Sequence, residues 1–252
     1  MQIKDSVAIV TGGNRGIGEA FVREFLNAGA RKVYVGSRVL EAASNLCGEL
    51  GEKAVAVQLD VTDEGQVSAA AELCGDVDVV INNAGVFNDE TLIGAADISA
   101  ARNEMDVNYF GVLSMCREFA PILKKNGGGA IINVLSVAAL LPVPNMGGYS
   151  PSKSAARSLT TNVRAELAKQ GTHVGALIVG SVDTRMADQV QGAKEPPSVV
   201  ATAGIRAIEK NIREMDTDRM AVEMRAALAR DPQNLERKMA ALLDLETLST
   251  GR

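Results

Sequence analysis

Six short apolar segments, rich in β-branched residues, recur along the chain and are separated by longer segments of helical period. Each segment is continuous rather than alternating between apolar and polar positions, which is typical of strands buried on both faces of a parallel sheet. The segments are 7–10, 33–35, 55–57, 77–81, 130–134 and 174–179. They predict six strands in one mostly parallel sheet.

Helical periodicity fills the intervals between these strands. The predicted helices are 17–28, 41–50, 66–74, 99–124 and 150–169, and a glycine follows each of five helical patterns as a stop signal, at Gly29, Gly51, Gly75, Gly127 and Gly171. Because strand and helix alternate, we expect an α/β protein, a doubly wound Rossmann fold in which ligands bind at the carboxyl ends of the strands.

The last quarter of the chain departs from this alternation. Residues 186–197 predict a long loop that is mobile and closes over bound ligands. Residues 198–210 and 218–248 have helical character, with Pro232 in the first turn of the last helix, and 212–215 could form a seventh strand.

The composition is that of a soluble globular protein with a single domain. The chain has 252 residues, a net charge of -5, 46% hydrophobic residues and 23% charged residues. We expect one domain over 1–252, with a cofactor half at about 1–125, a catalytic and substrate half at about 126–215, and C-terminal helices at about 216–248.

Charge and apolar length argue against two kinds of partner. No basic run exceeds two residues, so no nucleic-acid surface is predicted, and no apolar segment approaches the roughly 20 residues of a membrane-spanning helix. We therefore expect a cytoplasmic protein that binds neither nucleic acid nor a membrane.

The cysteines and the histidine restrict the chemistry. Cys47, Cys74 and Cys116 form an odd count without C-x-x-C spacing, which predicts reduced, partly buried thiols. His173 is the only histidine and lies in an apolar segment, so a metal site built on histidines is excluded and no metal is predicted.

A glycine-rich turn joins the first strand to the first helix. Gly12, Gly16 and Gly18, with Asn14, Arg15 and Ile17 between them, allow a tight turn and bring the N-terminus of the helix close to a pyrophosphate. The spacing G-x-x-x-G-x-G differs from the commonest dinucleotide fingerprint, so a glycine-rich turn without a ligand remains the alternative.

Further polar residues lie later in the chain. Asn83, Ala84 and Gly85 follow the fourth strand, where small and amide residues let the chain turn at the ligand crevice. Tyr149 and Lys153 are four residues apart and therefore share one helix face. An ammonium near a phenol favours the phenolate, so the pKa of Tyr149 is predicted to fall.

These motifs together resemble the short-chain dehydrogenase/reductase family over residues 5 to about 185. They are TGGNRGIG at 11–18, NNAG at 82–85, Asn108, Ser136 thirteen residues before Tyr149, and YSPSK at 149–153. The resemblance implies that Tyr149 acts as acid or base and that Lys153 lowers its pKa and binds the nicotinamide ribose. It also implies that Ser136 orients the substrate oxygen and that Asn108 holds a water linked to Lys153.

The resemblance also implies the cofactor contacts. In proteins that prefer NAD, a carboxylate lies at the end of the second strand. This chain has Ser37 and Arg38 at that position, and Arg15 flanks the same pocket, so we expect NADP(H). Asp60 and Val61 match the position that contacts adenine, and Thr184 matches a contact of the carboxamide. The predicted cofactor residues are Gly12, Asn14, Arg15, Gly16, Ile17, Gly18, Ser37, Arg38, Asp60, Val61, Asn83, Ala84, Gly85, Tyr149, Lys153, Gly180, Val182 and Thr184.

Two departures from the family pattern stand out. Val179-Gly180 replaces the frequent Pro-Gly pair, so the proline that stiffens this loop is missing. The chain also lacks the Asp-Gly-Gly ending associated with tetramers, and we expect a homodimer through the long helices after strands four and five, with a tetramer left open.

The predicted function is that of an NADP(H)-dependent oxidoreductase acting on a small uncharged ketone, aldehyde or secondary alcohol. Residues 137–141, Val143, Asn145 and Met146 are expected to face the substrate, and they carry no charge. The alternative is a cofactor-binding regulatory or scaffold protein. A serine hydrolase using Ser136 and His173 lacks the G-x-S-x-G elbow, and epimerases and dehydratases usually carry a larger C-terminal domain.

Overall fold

A computed structural model describes residues 1–144, 146–188 and 192–250 of the chain. Across this described part, one sheet has seven strands, all paired in parallel, in the order β3-β2-β1-β4-β5-β6-β7. The strands are β1 (Val7–Thr11), β2 (Lys32–Ser37), β3 (Ala54–Gln58), β4 (Val79–Asn82), β5 (Gly129–Val134), β6 (Thr172–Ile178) and β7 (Glu214–Asp216). The order reverses between β1 and β4, which is the topological switch point of a Rossmann fold.

Helices cover both faces of the sheet. They are α1 (Gly16–Asn27), α2 (Leu40–Leu50), α3 (Glu64–Leu73), α4 (Ser99–Met105), α5 (Val112–Lys125), α6 (Tyr149–Leu167), α7 (Pro197–Glu209), α8 (Arg219–Arg230) and α9 (Pro232–Thr250). No helix in the described ranges is long and apolar enough to span a membrane.

The alternation of side chains along β1 builds a core on each face of the sheet. Ala8 and Val10 pack in the cluster that contains Phe21 of α1, whereas Val7 and Ile9 pack in the opposite cluster. Since both faces are buried, every residue of β1 is buried, which explains the continuous apolar run in the sequence.

The predicted fold class is confirmed, and two predicted elements need correction. The predicted helix 99–124 is interrupted by a π-helical segment, Asp106–Gly111, between α4 and α5. The seventh strand forms at Glu214–Asp216 rather than at 212–215, because the Ile212 N–H closes the last turn of α7 on the Ala207 oxygen. The predicted helical stretch 218–248 forms α8 and α9, which are separated by Asp231, and Pro232 opens α9 as expected.

The glycine stops and the loop before α7 also differ in detail. Four of the five predicted stop glycines have positive φ; Gly75 does not, because Cys74 ends α3 with a φ of -101°. Of the predicted mobile loop 186–197, residues 189–191 lie outside the described residues. Near its end Glu195 pairs with Val182, and the Glu195 N–H donates to the Ser181 oxygen at 2.9 Å.

Candidate active site

The glycine turn and the NNAG segment meet at the switch point of the sheet. The Asn83 side-chain amide donates to the Thr11 oxygen at 2.9 Å and to the Gly12 oxygen at 3.2 Å. In return, the Thr11 hydroxyl accepts from the N–H groups of Asn83 and Ala84, both at 2.9 Å. These bonds fix the two segments against each other at the carboxyl ends of β1 and β4.

Glycine is required in this turn for two separate reasons. Gly12 has a φ of +62° and lies close to Ala84, whereas a Cβ on Gly18 would collide with the Gly12 carbonyl oxygen. Gly16, with a φ of +55°, lies against the Thr184 side chain, so the loop after β6 closes onto the same turn. The cradle is therefore lined by backbone rather than by side chains.

The N-terminus of α1 faces this cradle. Its N-cap, Arg15, makes no capping hydrogen bond through its side chain. Unpaired N–H groups and the positive end of the helix dipole favour an anion such as a pyrophosphate. Of the neighbouring residues, Asn14 is half-buried, and Ile17 packs on the core.

The end of β2 carries Ser37 and Arg38. The buried Ser37 hydroxyl accepts from the Val39 N–H at 3.1 Å and donates to the Val39 oxygen at 3.0 Å, which shapes the turn. Arg38 and Arg15 are both exposed, and neither guanidinium has an ion pair within the described residues.

The predicted adenine contacts follow β3. The Asp60 carboxylate accepts from the N–H and the hydroxyl of Thr62, at 3.0 and 2.8 Å. Val61 is buried beneath Gly111, where a Cβ would approach its side chain to 2.6 Å.

The predicted catalytic residues come together at the start of α6. Tyr149 is the first residue of α6, and the Lys153 Nζ lies 5.6 Å from the centroid of its ring. The ammonium donates to the Val134 oxygen at the end of β5, at 3.1 Å. Ser136, which follows β5, bonds the Tyr149 hydroxyl through its own hydroxyl and also accepts from the Ala138 N–H at 3.2 Å.

Burial governs the acidity of this pair. Desolvation raises the pKa of Tyr149 to about 12, although the hydrogen bond from Ser136 lowers it, and the charge of Glu104 raises it further. Desolvation also lowers the pKa of Lys153 to about 8. The predicted lowering of the tyrosine pKa by the lysine is therefore not seen in the polypeptide itself, because desolvation by burial is the largest influence on Tyr149.

Asn108 connects the loop after β4 to α6. It lies in the π-helical segment, a distortion that often marks functional sites, and is fully buried. Its Oδ1 accepts from the Val86 N–H, and its Nδ2 donates to the Val86 oxygen and to the Ser152 hydroxyl, all at 3.0 Å. A Cβ on Gly85 would lie 3.2 Å from Asn108 Oδ1 and 3.4 Å from Lys153 Nζ, so these three residues share one space.

The predicted substrate wall needs a correction. Ala138, Ala139 and Leu141 are buried, and Ala139 packs with Ala156 of α6 and Ala221 of α8. They lie behind the predicted substrate-facing surface, because Ser136 caps a short 3₁₀ turn that directs them into the core. Val137, Leu140, Val143 and Met146 are partly exposed, and Asn145 lies outside the described residues.

Sequence reasoning missed Asp218. Its Oδ2 accepts from the Gly180 N–H at 2.7 Å and from the Thr217 hydroxyl at 2.8 Å, and its Oδ1 caps α8 through the Ala221 N–H at 3.0 Å. A side chain on Gly180 would collide with this carboxylate. The loop that lacks the proline is thus fixed by a hydrogen bond from the C-terminal helices. An N-cap before α8 could have been predicted, but its contact with Gly180 could not.

Two further residues beside Tyr149 were also missed. The Phe87 ring packs edge-to-face on the Tyr149 ring, with 5.3 Å between centroids and 63° between planes. Glu104 is 2% exposed, and its carboxylate accepts from the Asn88 N–H at 2.9 Å. The described residues contain no cluster of side chains suited to a metal ion.

A doubly wound parallel sheet with a glycine turn before its first helix defines the class of Rossmann-fold dinucleotide-binding proteins. The family model for short chain dehydrogenase matches residues 6–195 of this chain. The chain therefore belongs to the short-chain dehydrogenase family of oxidoreductases, and the resemblance inferred from its motifs is confirmed.

Relatives of this family match most of the chain. A 3-alpha-(or 20-beta)-hydroxysteroid dehydrogenase of Mycobacterium bovis is 35% identical over 207 residues, 81% of this chain and 77% of that protein. A 2-(R)-hydroxypropyl-CoM dehydrogenase of Xanthobacter autotrophicus is 34% identical over 71% of this chain and 76% of that protein. A short chain dehydrogenase from Burkholderia cenocepacia, solved in complex with NADP, is 41% identical with a TM-score of 0.90 and covers 95% of this chain and 99% of its own.

Proposed function

We propose that the chain is an NADP(H)-dependent carbonyl reductase or alcohol dehydrogenase for small uncharged substrates. The observation that carries this proposal is the grouping of Ser136, Tyr149 and Lys153 beside a backbone cradle at the carboxyl ends of the strands. The cradle fits a dinucleotide because Gly12, Gly16 and Gly18 leave its floor free of side chains and the N-terminus of α1 faces it.

Each residue of the group has a separate task. Tyr149 donates its hydroxyl proton to the carbonyl oxygen during reduction and receives a proton from the alcohol during oxidation. Ser136 orients the same oxygen through the hydroxyl that already bonds Tyr149. Lys153, held on the Val134 oxygen, positions a ribose hydroxyl, and Asn108 keeps the loop after β4 in place against α6.

The cofactor supplies the hydride, and its oxidised ring carries a positive charge that favours the phenolate form of Tyr149 when bound. In the polypeptide, desolvation raises the pKa of Tyr149, and the hydrogen bond from Ser136 lowers it. The protein contributes position, proton transfer and the exclusion of water.

The choice of NADP(H) rests on the end of β2. Arg15, within the glycine turn, and Arg38, directly after β2, are both exposed, and Ser37 occupies the last position of β2 in place of a carboxylate. A guanidinium binds a phosphate through charge-assisted, often bidentate hydrogen bonds. The related Burkholderia cenocepacia structure contains NADP, which supports the same choice.

The substrate class rests on the uncharged segment after Ser136 and on the relatives. Val137, Leu140 and Met146 are partly exposed and apolar. The names of the two curated relatives denote dehydrogenases of hydroxyl-bearing compounds, which favours an alcohol and ketone pair.

The test is turnover with a panel of ketones, aldehydes and secondary alcohols, followed by the absorbance of the reduced nicotinamide. NADPH oxidation that depends on a carbonyl compound is the expected result. Tight NADPH binding without turnover of any compound would favour the alternative, a cofactor-binding regulatory protein.

For the assembly we propose a homodimer through α5 and α6. A groove of about 640 Å³ between these helices is lined by residues including Tyr109, Leu113 and Val163. Phe110, near the end of the π-helical segment, is 51% exposed and lines an adjoining groove that shares Leu113 and Arg117 of α5 with the first. Phe110→Glu should therefore yield monomers in light scattering, whereas Val222→Glu, at an exposed apolar position of α8, should not; a four-chain mass for the wild type would instead indicate a tetramer.

A further inference from the structure

Phe87 is the aromatic neighbour of the proposed proton donor. It lies two residues after Gly85 in the loop that follows β4, and its ring meets the Tyr149 ring in an edge-to-face arrangement at 5.3 Å between centroids. Phe87 is only half-buried, so part of the ring stays accessible. The Phe87 and Tyr149 rings together form an aromatic surface that includes the proposed proton donor.

The backbone is held on both sides of Phe87. Before it, Val86 exchanges two hydrogen bonds of 3.0 Å with the Asn108 side chain. After it, the Asn88 N–H donates to Glu104 Oε1 at 2.9 Å. Glu104 and Asn108 are four residues apart, so two buried side chains one helical turn apart clamp three consecutive loop residues.

The second carboxylate oxygen of Glu104 faces the start of α6. A Cβ on Gly148 would come within 2.6 Å of Glu104 Oε2, and Gly148 immediately precedes Tyr149. Glu104 thus fills the space between the Phe87 loop and the N-terminus of the catalytic helix. Burial raises the pKa of Glu104, and the charge of Glu90 raises it further. A buried carboxylate is costly unless it is hydrogen-bonded, and the Asn88 N–H lowers that cost.

The geometry points to Phe87 as a specificity-determining residue, and to Glu104 as the positioning residue that holds the Phe87 ring against Tyr149. The substrates favoured by this arrangement are ketones that carry an apolar ring directly on the carbonyl carbon. This inference rests on the proposed reductase function. Small acyclic ketones reach the Tyr149 hydroxyl as well, but they gain little from the aromatic surface.

Steady-state kinetics with acetophenone and butan-2-one, both with NADPH, test the specificity. Phe87→Leu keeps an apolar side chain and removes the ring, so KM for acetophenone should rise about two- to tenfold, the range of one aromatic pair. kcat for acetophenone and KM for butan-2-one should change by less than about twofold. An equal rise in KM for both ketones would overturn the role of Phe87.

A matched pair of substitutions isolates Glu104. Glu104→Gln keeps an acceptor for the Asn88 N–H, whereas Glu104→Met keeps the length but removes the acceptor. At neutral pH E104Q should keep the wild-type KM for both ketones, and E104M should reproduce the F87L pattern in KM. Because both substitutions act through the Phe87 ring, the F87L/E104M double variant should have the same KM for acetophenone as each single variant. A KM increase equal to the product of the two single effects would show that Glu104 acts independently of Phe87.

A spectroscopic test does not depend on turnover. The chain contains no tryptophan, so Phe87→Trp introduces a single reporter. Adding E104M to F87W should shift the emission to longer wavelength and increase quenching by acrylamide, while adding E104Q should change neither. Identical emission in all three proteins would overturn the positioning role.

The two tests separate the possible failures. If the wild-type protein reduces neither ketone, the proposed function fails for these substrates, and the fluorescence still decides whether Glu104 positions residue 87. If E104M does not fold by circular dichroism, Glu104→Asp replaces it, because the shorter side chain keeps the charge and loses the reach to the Asn88 N–H. E104D should then reproduce both the F87L kinetics and the emission shift, and wild-type behaviour of a folded E104D would contradict the inference.

Discussion

The Asp218 carboxylate accepts a 2.7 Å hydrogen bond from the backbone N–H of Gly180, across 38 residues of sequence. This bond joins the first turn of α8 to the loop after β6, which also contains Val182 and Thr184. Thr184 in turn lies against Gly16 of the glycine turn after β1. The C-terminal helices therefore support the turn that we propose binds the cofactor.

Asp218→Ala should destabilise the protein and also weaken the site. It removes a helix N-cap and leaves a buried N–H unpaired, so the free energy of unfolding should fall by about 2–4 kcal/mol in a urea titration. KM for NADPH should rise as well, because the Gly180 loop loses its anchor. Asp231→Ala is the control: Asp231 caps α9 through the Asn234 N–H, so its loss should cost about 1 kcal/mol and leave KM unchanged. Equal kinetics for both variants would show that the Gly180 bond serves stability alone.

Tyr149→Phe should nearly abolish turnover while leaving NADPH binding intact. The substitution removes only the hydroxyl, so the contact with Phe87 is kept, and a positioned acid contributes roughly 10²–10⁴-fold to the rate. The measurement is kcat together with the Kd for NADPH from cofactor fluorescence. Retention of more than about a tenth of kcat would contradict the role of Tyr149 as proton donor.

Glu104→Gln should move the pH dependence of the reaction to lower pH. The charge of Glu104 raises the pKa of Tyr149, so removing that charge lowers it. Alcohol oxidation needs the phenolate and increases as pH rises through this pKa, whereas ketone reduction needs the phenol and decreases there. Both profiles should therefore shift to lower pH, with kcat measured from neutral to alkaline pH. As a control, Glu64→Gln at an exposed position of α3 should leave both pH profiles unchanged.

The sheet, and the carboxyl ends of its strands as the place of ligand binding, could be predicted from the sequence because continuous apolar runs and glycine turns are local signals. The apolar run from Val7 to Val10 predicts a strand buried on both faces, and this prediction needs no knowledge of the neighbouring strands. The role of Glu104 could not be predicted, because a glutamate within a helical pattern is expected on the solvated face. Its burial comes from contacts with the loop at Asn88 and with Gly148 at the start of α6. Asp218 and Gly180 are far apart in sequence, so no local pattern predicts their bond.

The pKa of Tyr149 illustrates the same limit. Spacing placed Lys153 on the same helix face, and this is observed. The environment is set by tertiary packing, since Phe87, Ser136 and Glu104 reach Tyr149 from three other segments. The balance between desolvation and charge could therefore not be predicted from residue types and spacing.

The last prediction concerns the preference between the two nicotinamide cofactors. Ser37 ends β2, Arg38 follows it, and Arg15 precedes the glycine at the start of α1. Both guanidinium groups are exposed and are available for a 2′-phosphate. One charge-assisted hydrogen bond is worth roughly 1.5–3 kcal/mol, so kcat/KM should favour NADPH by about tenfold or more.

Ser37→Asp should repel the phosphate and accept from a ribose 2′-hydroxyl, and adding Arg38→Leu should shift the preference further toward NADH. Arg31→Leu, an exposed arginine just before the start of β2, is the control and should leave the ratio unchanged. The measurement is kcat/KM for each cofactor with one ketone, and a wild-type protein that prefers NADH would show that Arg15 and Arg38 do not bind a phosphate.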